Sequence, residues 1–342
     1  LVDADPGYCT DVRAARLDRT IAVTREMPVH VQGNESTRRP VALIIGASSG
    51  IGRSTAQALS REGWNLVLAS RSAPALAEVE RECARYGVDT TVIPTDVRDR
   101  AAVESLLVQA AAGSGRVDAV VNTAACVAYG RFDQIPAEIY DQVIATNLLG
   151  TANVARAALR QFRSQGGGEL VLMGSLLGKI AVPFMSPYVT SKWGVHALTR
   201  IIQLEAREIP GVHVTLVSPG SVNTPAYSQA ANYASREGRP PPPVDPPEKV
   251  ARAVVKSLTQ PRRERSVGLA NHVVVLGFRL LPAVFDLAVG PLMKLTGLSR
   301  RPVADHPGSV LHPHPAGEAE HGFWDRLGRR HESADSPVPV AP

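Results

Sequence analysis

The chain of 342 residues carries 37 Lys and Arg against 32 Asp and Glu, a net charge of +5, and 44% of it is apolar. That length allows one large domain with appendages or two ordinary ones, with enough apolar residues for a sizeable core. The basic excess is scattered, with no dense Lys/Arg run among aromatics, which argues against nucleic-acid binding. Cys9, Cys83 and Cys126 are widely spaced without a CxxC pair, which argues against a disulfide framework or a zinc site and fits a reducing cytoplasm.

Residues 1–39 are polar and aperiodic, without the charged start and apolar run of a signal peptide. They read as a loose arm, with Met27 as an alternative physiological start. From Val41 the text alternates: apolar runs at 41–45, 65–70, 90–96, 118–124, 169–175 and 213–220 are strands, separated by helical stretches at 51–62, 73–87, 99–112, 137–162 and 186–208. Runs that are apolar throughout suit strands buried on both faces. The repeated β-α unit with right-handed crossovers predicts an α/β fold, a doubly wound parallel sheet over 40–269. Residues 221–246 break the rhythm, because "RPPPPVDPP" cannot supply ladder donors, and read as a long loop. A short helix, 247–258, and a strand near 265–269 close the domain.

Segment 270–295 is strongly apolar but interrupted by Arg279, Pro282, Asp286 and Pro291, so it falls short of a spanning helix. It predicts a pair of short helices, with packing on the core favoured over covering a partner subunit or lying in a membrane interface. Residues 296–342 are rich in Pro, Gly and His. His306, His312, His314, His321 and His331 lie there without fixed ligand spacing, so a solvated tail is preferred and no metal site is assigned.

Between the first strand and first helix, "IIGASSGIGRS" places Gly46, Gly50 and Gly52, with Ser48, Ser49 and Ile51 between them. A glycine turn entering a helix N-terminus lets backbone N–H groups approach a pyrophosphate, which predicts dinucleotide binding. The second strand ends in Ala69 and Ser70 followed by Arg71. With no acid there for ribose hydroxyls and a guanidinium available for a 2′-phosphate, NADP is preferred and NAD is the alternative. Asp96 and Val97, after the third strand, are placed to meet the adenine.

Beyond this turn, "TDV" (95–97), "NTAA" (122–125), "ATNLLG" (145–150), Ser175 in "MGS", "YVTSK" (188–192) and "PGSVNTP" (219–225) follow in order. The chain thereby resembles the short-chain dehydrogenase/reductase family over about 41–270, including a bacterial branch with an apolar C-terminal extension. One departure is Asn122-Thr123-Ala124-Ala125, where the family has Asn-Asn-Ala-Gly. The resemblance implies a Rossmann fold and hydride-transfer oxidoreduction between a small-molecule carbonyl and an alcohol. It implies a catalytic tetrad of Asn147, Ser175, Tyr188 and Lys192, and cofactor contacts from Asn122, Ala124, Pro219, Gly220, Val222 and Thr224. It also implies homodimers or homotetramers formed through helices 137–162 and 186–208.

The residues support that chemistry. Tyr188 and Lys192 stand at i and i+4, on one helix face. An ammonium nearby is expected to lower the phenol's pKa from its usual value near 10. Ser175 would orient the substrate oxygen, and Asn147 would hold a water passing protons to Lys192. Leu176, Leu177, Pro183, Phe184 and loop 221–246 are expected to line a pocket for a lipophilic ketone or alcohol. Two other readings are a regulator that binds NADP without turnover, which would be expected to lack Tyr188 or Lys192, and a protein docked to a membrane or partner through 270–295. The expected location is the cytoplasm, with membrane association as the alternative.

Overall fold

The computed structural model describes residues 38–330. Cys9, Met27, His331 and nearly all of the expected arm lie outside the described residues. In chain order the elements are β1 (Val41–Ile45), α1 (Gly50–Arg61), β2 (Asn65–Ala69), α2 (Ala73–Ala84), β3 (Thr90–Val92), α3 (Arg100–Ala112), β4 (Ala119–Asn122) and β5 (Ala128–Gly130). Then come α4 (Ala137–Ile144), α5 (Gly150–Gln165), β6 (Gly168–Met173), α6 (Ser186–Glu205), β7 (Val212–Pro219), β8 (Ala231–Tyr233) and β9 (Arg236–Gly238). The chain closes with α7 (Pro247–Thr259), β10 (Glu264–Val267), α8 (Asn271–Leu280), α9 (Pro282–Leu292) and β11 (Leu298–Pro302).

Seven strands form one parallel sheet in the order β10-β7-β6-β4-β1-β2-β3. Every residue of β1 is buried, because alternate side chains of a central strand serve opposite faces. Leu43 and Ile45 join the core beneath α3, α5 and α6, while Ala42 and Ile44 join the core beneath α1, α2 and α7. The strand order reverses between β1 and β4, and Ile45 lies opposite Ala69 on one side and Asn122 on the other. Such a switch point at the carboxyl ends of strands leaves a crevice for a ligand.

The departures from expectation have local causes. β3 stops at Val92, although Ile93 and Thr95 still donate to Leu68 and Ser70 carbonyls at 3.0 and 2.8 Å; Pro94 between them has no donor. The helix expected over 137–162 is interrupted by a π-helical turn, Ala145–Leu149, a distortion that often marks a functional position. Loop 221–246 contains β8, which pairs with β5, and β9, which pairs with β11.

The pair of helices over 270–295 forms as α8 and α9, but core packing is not where it goes. In α8 only Asn271 is buried, and in α9 nothing is. Their inner sides meet a cleft rather than the sheet. Nor is the tail beyond β11 a solvated loop. His306 and Asn232 exchange backbone hydrogen bonds at 2.8 and 3.0 Å, Ser309 donates to the Gln229 carbonyl, and Val244 donates to the Arg326 carbonyl. Val310 and Trp324 are buried. The tail is irregular because its backbone partners are loops, and sequence periodicity reports only repeating partners.

Candidate functional site

The crevice at the switch point opens into a cavity of about 420 Å³. Its floor is the glycine turn. Gly46 has φ +82°, and a Cβ there would stand 2.6 Å from the Ala124 nitrogen; Gly50 has φ +50°. No other residue fits the first of these positions without moving the β4 turn. Gly46 donates to the Ala69 carbonyl at 2.8 Å, which ties the turn to the tip of β2. Thr123, at the departure from the family pattern, takes over the bracing: its hydroxyl donates to the carbonyls of Ile45 and Gly46 at 2.9 and 3.2 Å.

Ser48, Ser49, Ile51, Gly52, Ser70, Arg71, Asp96, Val97, Ala124, Pro219, Gly220, Val222 and Thr224 all line the cavity with Gly46 and Gly50. Asn122 does not. Its side chain is buried behind the wall, donating to Thr151 Oγ1 at 3.1 Å and accepting from the Ala124 nitrogen. Burial alone would raise the Asp96 carboxyl, but hydrogen bonds from Arg98 overcome it and hold Asp96 below its ordinary value. The residues present therefore fit a dinucleotide: a Cβ-free turn, a helix N-terminus and a crevice running along both.

α6 carries the chemistry at the other end. Tyr188 and Lys192 both line the cavity, with the Lys192 ammonium 5.6 Å from the Tyr188 ring centre. Lys192 Nζ donates to the Met173 carbonyl at 2.8 Å. Burial dominates both groups. It pushes Tyr188 up to about 12, with Ser175's hydroxyl pulling modestly the other way, and it pulls Lys192 down to about 8. The lowering expected of the phenol is thus opposed here by desolvation, the largest influence on it. Tyr188 is a neutral phenol at neutral pH.

Ser175 sits at the end of β6, its hydroxyl accepting from the Leu177 nitrogen at 3.1 Å and facing Tyr188. Asn147 is elsewhere. The π-helical turn aims its amide at Cys126, whose carbonyl accepts at 2.9 Å and whose nitrogen donates at 2.8 Å, and at Ser191 Oγ at 3.0 Å. Both amide protons are taken by protein, so the side chain is a brace. Leu176 and Leu177 line the cavity, but Pro183 and Phe184 do not; Ile180, Val182 and Met185 take that wall. Phe184 is turned away at φ 68°, with its carbonyl accepting from Gly130.

Four contributors were not read from sequence. His196, one turn beyond Lys192, supports Ser175: its Nε2 accepts from the Ser175 nitrogen at 3.4 Å and lies 3.4 Å from Ser218 Oγ. Burial drops it to about 4, so it is a neutral ring. The i+4 spacing from Lys192 was the available signal. Tyr129, fully buried, lines the cavity with a hydroxyl that has no hydrogen-bond partner. Val274, Phe285, Val289 and Met293 of the α8–α9 region form an apolar roof, and Ser309, Pro313 and Glu318 of the tail close the far side.

A family model described as short chain dehydrogenase matches residues 40–233. An uncharacterized oxidoreductase of Bacillus subtilis, YxnA, is 30% identical over 285 residues, covering 82% of this chain and 80% of its own. A second from Staphylococcus aureus, SA2266, is 33% identical over 222 residues, 65% of this chain and 92% of its own. Among solved structures, an alcohol dehydrogenase from Thermococcus sibiricus complexed with 5-hydroxy-NADP is 29% identical, with a TM-score of 0.59 over 67% of this chain and 96% of that one. A short-chain dehydrogenase from Streptomyces avermitilis is 26% identical, with a TM-score of 0.63 over 73% of this chain and 96% of that one.

Proposed function

Because the chain belongs to the short-chain dehydrogenase family and is an oxidoreductase of that kind, we propose that it interconverts a lipophilic ketone or aldehyde and its alcohol. A nicotinamide dinucleotide bound along Gly46–Gly52 supplies or accepts the hydride. The carrying observation is the apposition of Tyr188, Lys192 and Ser175 in one largely apolar cavity that continues into the glycine turn. Ser175 and Tyr188 bind the substrate oxygen. The neutral phenol of Tyr188 gives its proton to that oxygen during reduction, and the Lys192 cation stabilises the phenolate left behind, an interaction strengthened by the low local dielectric. Asn147 holds the π-helical turn and Cys126 in place. His196 keeps Ser175 presented.

The apolar roof and the Leu176–Met185 wall support a lipophilic substrate. Reduction of hydrophobic ketones by NADH or NADPH, lost in Tyr188→Phe, tests the assignment; activity confined to sugars would refute the lipophilic part. Arg71 at the tip of β2 supports dinucleotide binding at the adenosine end, and the choice of NADP expected from it rests on what surrounds its guanidinium. Leu149 in the turn before α5 and Trp193, Ile201 and Leu204 on α6 are exposed, which supports pairing of copies through this region, measurable by light scattering.

A second role is favoured by the outer side of α8–α9. Val273, Leu276, Leu280, Leu281, Val284 and Leu287 are each more than half exposed; Arg279 and Asp286 lie within the two helices, and Lys294, Arg300 and Arg301 follow them in the chain. An exposed apolar surface in a segment with a basic excess suits an anionic membrane interface. Among the described residues no helix is long and apolar enough to cross a membrane. Flotation with anionic but not neutral vesicles, lost in Leu276→Glu/Leu280→Glu, is the expected result, and no flotation with either would overturn it.

A further inference from the structure

The tail does not merely pass near the glycine turn; it is fastened to it. Gly50 donates its N–H to the Ala319 carbonyl at 2.9 Å. Ser54 Oγ donates to Glu320 at 2.6 Å, and Gln57 Nε2 donates to the same carboxylate at 3.2 Å. Beyond this point, Gly322 and Trp324 donate to Asn223 at 3.2 and 3.0 Å, and the buried Trp324 ring anchors the strap. Fixed on both sides, the tail is a wall that a ligand must accommodate. It lies beyond residues 40–233, the segment matched by the family model.

Two features place an acid at the adenosine end. Arg71, the cation on which the NADP expectation rested, spends three N–H donors on tail carbonyls: Ser309 at 2.6 Å, Val310 at 3.2 Å and Leu311 at 3.3 Å. Glu318 then faces Ser48 of the glycine turn, Ser72 past the tip of β2, and Arg71; burial raises its carboxyl above the ordinary value while these three neighbours favour the carboxylate. Glu318 also lines the cavity, and its Oε2 is buried without a hydrogen-bond partner. A buried carboxylate oxygen left unpaired is costly unless a donor arrives. The end of β2, where this architecture ordinarily carries a ribose-binding acid, has Ala69 and Ser70 instead.

We propose that the tail is a wall of the dinucleotide site and that Glu318 reads the adenosine ribose, selecting NAD(H) over NADP(H). This rests on the reading that the cleft holds a nicotinamide dinucleotide. The carboxylate accepts from a ribose 2′-hydroxyl, completing its own hydrogen bonding. A 2′-phosphate brings negative charge to the same place and meets like charge there, while Arg71 is already engaged by carbonyls.

Equilibrium binding of NADH and NADPH to the full chain, by calorimetry or quenching of tryptophan fluorescence, tests this without turnover. Wild type is expected to bind NADH at least about tenfold tighter than NADPH, and Glu318→Ala to narrow or reverse that ratio by about tenfold or more. Glu318→Gln keeps an acceptor and loses the charge, so NADPH binding should recover more than NADH binding falls. Tighter binding of NADPH by wild type would overturn the inference, as would an unchanged ratio in both variants. If wild type binds neither dinucleotide, the inference fails together with the reading beneath it; a wrong ratio removes Glu318's role alone.

Discussion

Replacing Lys192 with methionine should stabilise the protein at pH 7 while abolishing turnover. Lys192 is 2% exposed, and burial lowers it from 10.5 to about 8. A cation whose folded pKa is depressed binds its proton more weakly in the fold, so protonation favours unfolding below pH 8. At about 1.36 kcal/mol per pKa unit, the native state forfeits about 3 kcal/mol there. Removing the Nζ donor also leaves the Met173 carbonyl unpartnered, a loss of about 1 kcal/mol. The net gain for Lys192→Met is about 2 kcal/mol at pH 7. The penalty on wild type is shed between about pH 8 and 10.5, so the variant's advantage should vanish or reverse above that window. Urea denaturation of both proteins at pH 7 and pH 10.5 reads the difference. A variant less stable than wild type at pH 7, by an amount independent of pH, would refute the account of a desolvated lysine.

Tyr188→Phe should lose carbonyl reduction by about a thousandfold, within the range for a general acid, while dinucleotide affinity changes little. With Tyr188 held up at about 12 and Lys192 down at about 8, the acid stays protonated and the reduction rate should fall as Lys192 loses its proton near pH 8; a profile flat through about pH 10 would contradict the role of the cation. His196→Ala leaves the Ser175 N–H without its acceptor and should cost about 1–3 kcal/mol in denaturation, with kcat reduced more than KM is changed. Trp324→Ala should unlatch the tail: the Gly50 amide, bonded to Ala319, should exchange hydrogen faster, and bound dinucleotide should dissociate faster.

The sheet was legible because a parallel strand covered on both faces is largely apolar: β1 is so throughout, and β4 up to Asn122. The glycine turn was legible because backbone sterics restrict Gly46 and Gly50. Tyr188 and Lys192 could be paired from helical spacing alone. Their proton affinities could not, since these depend on how completely the cavity excludes water. The bracing of Asn147 against Cys126 was illegible for a related reason: it lies in a π-helical turn, which nothing in "ATNLLG" signals. The tail was the largest miss. Its contacts with Gly50, Arg71 and Asn223 join residues about one hundred positions or more apart, through loops that carry no periodic pattern. Glu318 read alone is an acid in a Pro-rich stretch; only the fold brings it to Ser48.

The most direct test follows deuterium from the C4 position of reduced nicotinamide dinucleotide into product. With a hydrophobic ketone, the label should appear on the carbinol carbon as one stereoisomer in wild type and be undetectable with Tyr188→Phe that still binds the dinucleotide. Transfer at wild-type rate by Tyr188→Phe would contradict the assignment of Tyr188 as the proton donor in this cleft.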